Sequence, residues 1–204
     1  GIALFIFYIY LETQNKNYLK IVKEALKYEL NNLRFENEKL LGFIRGEQED
    51  NSELVFSPYI YDGIAGLGSV LIRINPKYFS HEIHLIAKSI NKNISVFPTY
   101  MRGLAGICDF LIDYYYEFNK PETLDEINRI YGLILTFKVI KNDSCFYPGE
   151  QLFRNSNDLA TGSAGILMVL KRMQNVNKGE GSNNDFPFYL DKFYNHLPNS
   201  SFPD

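Results

Sequence analysis

The sequence predicts an all-α protein built as an α/α barrel (toroid) of inner and outer helices, of which this chain forms a partial barrel. Two observations carry this prediction. A short motif, Gly-x-Ala-Gly followed by an apolar residue, occurs three times, and each copy opens an apolar run. Between these runs lie segments that are apolar on one helical face only. A spacing of about 40 to 60 residues between copies is typical of repeated helix pairs.

The predicted elements alternate along the chain as inner and outer helices. Gly1-Ile2-Ala3-Leu4 looks like the second half of a further motif copy. The next inner helices are predicted over Ile64 to Ile74, Leu104 to Phe118 and Ile166 to Met173. These runs are apolar on nearly all sides and should be buried. Each outer helix carries one apolar stripe: Leu19, Val22, Leu26, Leu30 and Leu33; Ile83, Ile86, Ile90 and Ile94; and Leu124, Ile127, Tyr131 and Ile134.

The connections divide the chain into a helical domain, residues 1–175, and a C-terminal segment, residues 176–204. We expect a long loop over Phe35 to Pro58 and a β-hairpin near Val139 to Phe153, where turn-forming residues cluster. The C-terminal segment is predicted to be a flexible linker followed by an aromatic cap. The chain begins at Gly1 directly in an apolar run, and we interpret it as a fragment of a longer protein.

Composition narrows the classes of function. The chain has 204 residues, of which 46% are hydrophobic, and its 21 basic and 24 acidic side chains give a net charge of −3. A nucleic-acid surface needs a basic excess, so no nucleic-acid partner is expected. Cys108 and Cys145 are too few for a disulfide scaffold, which predicts a cytoplasmic protein. The apolar run Ile2 to Leu11 is shorter than the ~20 residues that span a membrane, so no membrane span is expected.

The motif glycines should be structural, because a residue without a side chain lets neighbouring backbones approach closely. All motif copies precede inner helices, so they should lie at one end of the barrel around one cavity. An α-solenoid or another α/α toroid, whose glycines serve packing only, remains an alternative. The structural glycines are Gly63, Gly66, Gly103, Gly106, Gly162 and Gly165.

This motif array resembles the lanthionine synthetase C-like (LanC-like) family of α/α barrels. Phe146 to Arg154, followed by Asp158 to Gly165, is similar to the C-terminal end of the cyclase domain in class III lanthipeptide synthetases, which are bacterial kinase–lyase–cyclase chains. The resemblance covers about Gly1 to Met173. It implies formation of (methyl)lanthionine or labionin rings, by addition of a peptide Cys thiol to a dehydroamino acid.

The resemblance also implies the partners. These are a precursor peptide with a leader and a dehydrated core, upstream kinase and lyase domains, and a second copy where the chain forms a homodimer. Nucleotide and Mg²⁺ are expected only in the kinase domain. The rival hypothesis is a non-catalytic scaffold that binds the peptide or supports dimerisation.

The metal pattern of the family is where this sequence differs. Zinc-dependent members carry Trp-Cys-Tyr-Gly before one inner helix and Cys-His-Gly before a later one. The matching stretches here are Tyr100-Met101-Arg102-Gly103 and Ala160-Thr161-Gly162. Zinc requires three or four nitrogen, sulfur or oxygen ligands. The sequence therefore predicts no metal site, no cofactor in this chain and a zinc-independent reaction.

Without zinc, thiolate formation must depend on a general base or on the orientation of a tethered substrate. Asp62 stands where relatives often have His, and we expect it to transfer a proton, with Arg102 and Tyr100 as further catalytic residues. Asp62 could instead cap its helix, and Arg102 could form a rim ion pair. The expected substrate contacts are Tyr61, Asp158, Thr161 and Asp109. Asp109 either lines the cavity or pairs with neighbours, since a buried carboxylate needs a partner.

Overall fold

A computed structural model describes residues 1–43, 56–90, 95 and 97–181. This part of the chain is mostly helical, which confirms the predicted class, and it also contains two small hairpins. No barrel is detected among these residues, so the predicted partial barrel is not shown. The helices are α1 Ile2–Thr13, α2 Lys16–Asn31, α3 Ile64–Ile74, α4 Ser80–Ile90, α5 Leu104–Phe118, α6 Glu122–Thr136 and α7 Ser163–Asn177. The strands are β1 Arg34–Glu36, β2 Lys39–Gly42, β3 Val139–Lys141 and β4 Ser144–Phe146.

Four helices form an inner layer in chain order, with α1 against α3, α3 against α5 and α5 against α7. The middle helices α3 and α5 are buried over most of their length, as their all-round apolar sequences predict. Gly68 allows α5 to approach α3, because a Cβ at Gly68 would lie 2.8 Å from Cζ of Phe110. The inner layer thus forms a continuous core.

The outer helices α2, α4 and α6 each pack on the inner helix that precedes them in the chain. Their predicted apolar stripes face the core. For example, Val22, Ile86 and Ile127 are fully buried. Ile94, at the end of one predicted stripe, lies outside the described residues. The Asn15 side chain accepts a hydrogen bond from the Asn17 amide at 3.0 Å and fixes the start of α2.

Both hairpins turn on pairs of residues with left-handed backbone. The hairpin β3–β4 turns at Asn142 and Asp143, within the stretch where the sequence predicts one. The hairpin β1–β2 begins at Arg34 and otherwise lies in the stretch predicted to be a loop, so that part of the prediction is wrong. There the Ser89 hydroxyl of α4 donates to the Leu40 carbonyl at 2.7 Å and holds β2 against the core.

No helix in the described ranges is long and apolar enough to cross a bilayer. The last helix, α7, continues two residues beyond position 175. The predicted linker and aromatic cap fall largely on residues 182–204, which lie outside the described part, and they stay predictions.

Candidate functional site

The three motif loops close onto their helices in the same way. In each copy the first helical amide donates to the carbonyl seven residues before it, and the first motif glycine passes over that carbonyl. A Cβ at Gly103, for instance, would lie 2.5 Å from the Phe97 oxygen, so only glycine fits there. The bonds are Ile64 to Ser57 at 3.2 Å, Leu104 to Phe97 at 2.9 Å and Ser163 to Ser156 at 2.7 Å.

Backbone hydrogen bonds join the three loops to one another at equivalent positions. The Tyr61 amide donates to the Met101 carbonyl at 3.1 Å, and the Met101 amide donates to the Ala160 carbonyl at 2.9 Å. Each of these residues stands two places before the first glycine of its motif. We call these two bonds the loop ladder. The motif copies therefore meet at one end of the inner layer, as the sequence predicts.

A cavity of about 450 Å³ opens beside the loop ladder, and we call it the loop cavity. It brings together three predicted site residues, Tyr61, Arg102 and Thr161. Its wall is mainly aromatic and apolar, with a guanidinium, two hydroxyl groups from threonine and one amide. The lining residues are Tyr59, Tyr61, Phe97, Thr99, Met101, Arg102, Gln151, Ala160 and Thr161.

The three residues at the zinc-ligand positions of the resembled family, Met101, Ala160 and Thr161, all line this cavity. A thioether, a methyl group and a neutral hydroxyl are poor zinc donors compared with thiolate and imidazole. Nowhere in the described ranges do three His, Cys, Asp or Glu side chains form a metal-binding group. The side chains at these positions therefore do not fit a zinc ion.

Asp62 does not line the loop cavity, where the sequence places it; it lines a different cavity of about 420 Å³ and belongs to a small polar cluster that reaches the loop cavity through Arg102. Its Oδ1 accepts a hydrogen bond from the Ser57 hydroxyl at 2.6 Å, and its Oδ2 lies 3.3 Å from Arg102 Nε. The Arg102 guanidinium carbon in turn lies 4.5 Å from the centre of the Tyr61 ring, within cation–π range. Gly63, and not Asp62, is the residue that caps α3. Asp62 and Arg102 thus form the rim ion pair that the sequence allowed.

Tyr100 and Asp109 are not on the cavity, which corrects their expected position. Tyr100 is 0% exposed, and its hydroxyl donates to Asp109 Oδ2 at 2.8 Å. Of the two readings left open for Asp109, the structure shows pairing with neighbours. The physical reason is that a carboxylate on an all-round apolar helix has no route to water and is stabilised only by buried partners.

Those partners form a network between three inner helices. Arg172 of α7 contacts Asp109 Oδ1 through Nη1 and Asp113 Oδ1 through Nη2, the latter at 2.7 Å. Arg73 of α3 contacts Asp113 Oδ2 at 2.9 Å. Although burial alone lowers the pKa of Arg172, the two carboxylates raise it above its usual value. We call these four side chains and Tyr100 the buried network; its two positive and two negative charges balance.

Asp158 lies beside a second cavity of about 350 Å³, which shares Gln151 and Thr161 with the loop cavity. Its carboxylate accepts hydrogen bonds from the Ser156 hydroxyl and, at 2.7 Å, from the Thr161 amide. The Ser156 bond and the Thr161 amide bond lower the pKa of Asp158 to about 2. Asp158 therefore stabilises the conformation of the third loop, and its carboxylate already accepts hydrogen bonds from residues of that loop.

Replacing Asp158 with alanine should lower stability modestly at neutral pH. Since its folded pKa is lowered, the carboxylate contributes stability above its unfolded pKa, and this is lost as pH falls from about 4 to about 2. The side chain is exposed, so the effect should be at most about 1 kcal/mol. Urea titrations of both proteins at several pH values would check this. A stability difference that persists undiminished at pH ~2 would contradict it.

Several lining residues were not found from the sequence. Aligning the motif copies places Tyr59, Thr99 and Asp158 at one position, four residues before the first glycine. Because Asp158 was a predicted site residue, this alignment could have predicted that Tyr59 and Thr99 line the cavity. Gln151 carries no such signal, because it comes from a tight turn, Glu150–Leu152, outside the motif. Arg172 was also missed, although a single arginine in an apolar run predicted to be buried needs an acidic partner.

Comparison with known proteins adds no further assignment, since no protein-family model and no curated protein matches the chain.

Proposed function

We propose that this chain is part of a LanC-like α/α barrel of the zinc-independent kind, whose loop cavity holds a dehydrated precursor peptide while thioether rings form. One observation carries the proposal: three equivalent loops, joined by the loop ladder, line a single cavity with Met101, Ala160 and Thr161 at the zinc-ligand positions. The kinase and lyase neighbours, the homodimer and the cytoplasmic location belong to the same proposal.

The repeat geometry supports continuation of the inner layer into a barrel. The second motif glycine of α5, Gly106, is covered by Ile60 of the preceding loop, and that of α7, Gly165, is covered by Tyr100. The equivalent Gly66 of α3 instead borders a cavity of about 420 Å³. The adjoining α1 leaves Ile2 78% and Phe5 59% exposed. A further repeat on this side would fill the cavity and cover the apolar face.

The chemistry is an addition in which nothing is oxidised or reduced. The cysteine thiol gives up its proton, sulfur bonds to the β-carbon of the dehydroamino acid, and the double-bond electrons move toward the carbonyl as an enolate. The α-carbon then takes a proton from the group that accepted the thiol proton, directly or through water, so the addition balances. In this proposal Asp62 accepts the thiol proton. Arg102, 3.3 Å from Asp62, stabilises the thiolate and the enolate through its positive charge.

In this proposal, the rest of the rate acceleration comes from holding the two reacting groups of one peptide together. Both reacting groups belong to one chain, so a cavity that holds them in contact reduces the entropy lost on reaction. The aromatic wall of Tyr59, Tyr61 and Phe97 suits the binding of peptide side chains. Tyr100, which is buried away from the cavity, has no contact with the substrate in this proposal.

A peptide-binding scaffold without catalysis is the second candidate. Its supporting observation is that Asp62 lies outside the lining of the loop cavity and is already bound by the Ser57 hydroxyl and Arg102, while the loop cavity itself is lined mainly by aromatic and apolar groups. To accept a thiol proton, this carboxylate would have to give up one of these two contacts.

Replacing Asp62 with asparagine should slow ring formation by about 10²-fold, the usual loss for a general base. A dehydrated peptide with one cysteine is incubated with the protein that carries this chain, and remaining thiols are alkylated and counted by mass spectrometry. Asp125→Asn, at an exposed position of α6, is the matched control. Ring formation at the wild-type rate in Asp62→Asn removes Asp62 from the mechanism. Binding without any acceleration over peptide alone favours the scaffold.

A further inference from the structure

The middle motif loop differs from the other two at one buried position. Three residues before the first motif glycine, the first and third loops have the aliphatic residues Ile60 and Leu159, whereas the middle loop has Tyr100. Tyr100 is wholly buried, while Ile60 is half-buried and Leu159 is exposed. A phenol in the core must have a hydrogen-bond partner, and here that partner is Asp109 at 2.8 Å. The middle loop is thus the one attached to the buried network.

The phenol is held at a defined point by this attachment. Burial, followed by the charge of Asp109, raises the pKa of Tyr100, so the hydroxyl stays protonated and donates. Asp109 is itself fixed by Arg172, which also contacts Asp113. Through Arg73 the network extends to α3. The Tyr100 hydroxyl therefore ends on a carboxylate whose position is determined by three inner helices.

The two residues that follow Tyr100 line the loop cavity. Met101 makes both bonds of the loop ladder, and the Met101 and Arg102 side chains line the cavity. The other side of Tyr100 lies against α7, where a Cβ at Gly165 would come within 2.7 Å of the Tyr100 Cβ. Tyr100 is therefore held at both ends of its side chain, by α7 at its Cβ and by Asp109 of α5 at its hydroxyl. The next residue, Met101, is held by its two ladder bonds.

We infer that Tyr100 is a positioning residue: its hydroxyl, held by the buried network, sets the position of Met101 and Arg102 and so the alignment of the three loops around the cavity. The part of this inference that concerns peptide binding rests on the proposed function. The part that concerns the loops does not. If the hydroxyl served only as a hydrogen-bond partner for Asp109, its removal would lower the stability of the whole fold and would not weaken the loop ladder more than the rest.

Tyr100→Phe separates these two roles, because it keeps the ring and removes only the hydroxyl. We expect the Met101 and Tyr61 amides to exchange hydrogen roughly tenfold faster, while amides in the middle of α5, such as that of Leu111, change by less than about twofold after correction for global stability. Tyr114→Phe, a tyrosine of α5 outside the buried network, is the matched control and should leave the ladder amides unchanged. Equal acceleration throughout α5 and the ladder, or none in the ladder, overturns the inference.

A measurement on the unchanged protein covers the case in which Tyr100→Phe does not fold. In native-state exchange at low denaturant, the Met101 amide should open together with α5, with the same dependence on denaturant concentration. Opening of Met101 that is independent of denaturant would mean that the loop moves without the buried network, and would also overturn the inference.

The binding consequence is tested with the same dehydrated peptide. In Tyr100→Phe we expect KM to rise roughly fivefold and kcat to fall as well, because both the loops that hold the peptide and the Arg102 guanidinium are displaced. If the ladder loosens but the wild-type protein neither binds nor cyclises the peptide, the proposed function fails and the positioning role stands. If the wild-type protein is active and Tyr100→Phe matches it in exchange and in KM, the positioning role fails and the proposed function stands.

Discussion

Replacing Arg172 with methionine is expected to lower the free energy of unfolding by about 3–5 kcal/mol, the usual cost of breaking a buried ion pair from one side. Methionine has a similar length and keeps most of the packing, so the loss is mainly one of charge. Asp109 and Asp113 would remain in the core with only Arg73 to balance them. Burial then disfavours both carboxylates. Urea denaturation followed by circular dichroism measures the change.

The chain offers a matched control in Arg129→Met. Arg129 pairs with Glu126 within the same turn of α6, and its side chain is 39% exposed, against 6% for Arg172. Surface pairs of this kind contribute about 0–1 kcal/mol, so the control variant should unfold close to the wild-type midpoint. Should the two variants lose similar amounts, Arg172 is not the central cation of a buried network.

The sequence predicted correctly those parts of the fold that the repeated motif determines locally. The inner helices α3 and α5 begin at Ile64 and Leu104, as predicted, because the glycine before each must cross the loop carbonyl. The last inner helix begins at Ser163 instead of the predicted Ile166. The prediction placed the start of this helix at the first residue of the apolar run. Alignment with the other two copies places Ser163 at their first helical position, since it bonds to Ser156 in the same way.

The hairpin β1–β2 was not predicted because its sequence contains none of the residue pairs that usually mark a hairpin turn. Its turn residues, Asn37 and Glu38, take left-handed backbone without a glycine, and the strands are only three and four residues long. Such short strands show no clear alternation. What fixes the hairpin is a tertiary contact, the bond from Ser89 to Leu40, which joins residues far apart in the chain.

The candidate site was predictable to the same extent. Tyr61, Arg102 and Thr161 lie on the cavity because they stand one or two positions before a motif glycine, and the repeat brings these positions to one end. Asp109 and Tyr100 could not be placed from sequence. The partner that draws Asp109 inward, Arg172, is 63 residues away and on another helix. Pairing between distant ionisable groups depends on how helices face each other, which periodicity does not specify.

Gly165→Ala is the second change expected to have a large effect. Its Cβ would press on the Leu159 carbonyl of its own loop and lie 2.7 Å from the Tyr100 Cβ on the other side. Overpacking of a core costs about 1–3 kcal/mol and sometimes more, and we expect the upper end here because one obstacle is backbone and cannot rotate away. The displaced Tyr100 should also loosen the loop ladder. Thermal unfolding, together with hydrogen exchange at Met101, measures both effects.

Gly132→Ala is the control that isolates the steric cause. Gly132 lies in the interior of α6, is exposed, and a Cβ there would meet nothing within 4 Å. Alanine in a helix is favoured over glycine by about 0.5–1 kcal/mol, so this variant should be more stable than the wild type. The same substitution is therefore expected to act in opposite directions at two helical glycines. Gly165→Ala at wild-type stability would show that the loop before α7 does not pass over this glycine, and the common loop geometry on which the cavity depends would no longer hold for the third copy.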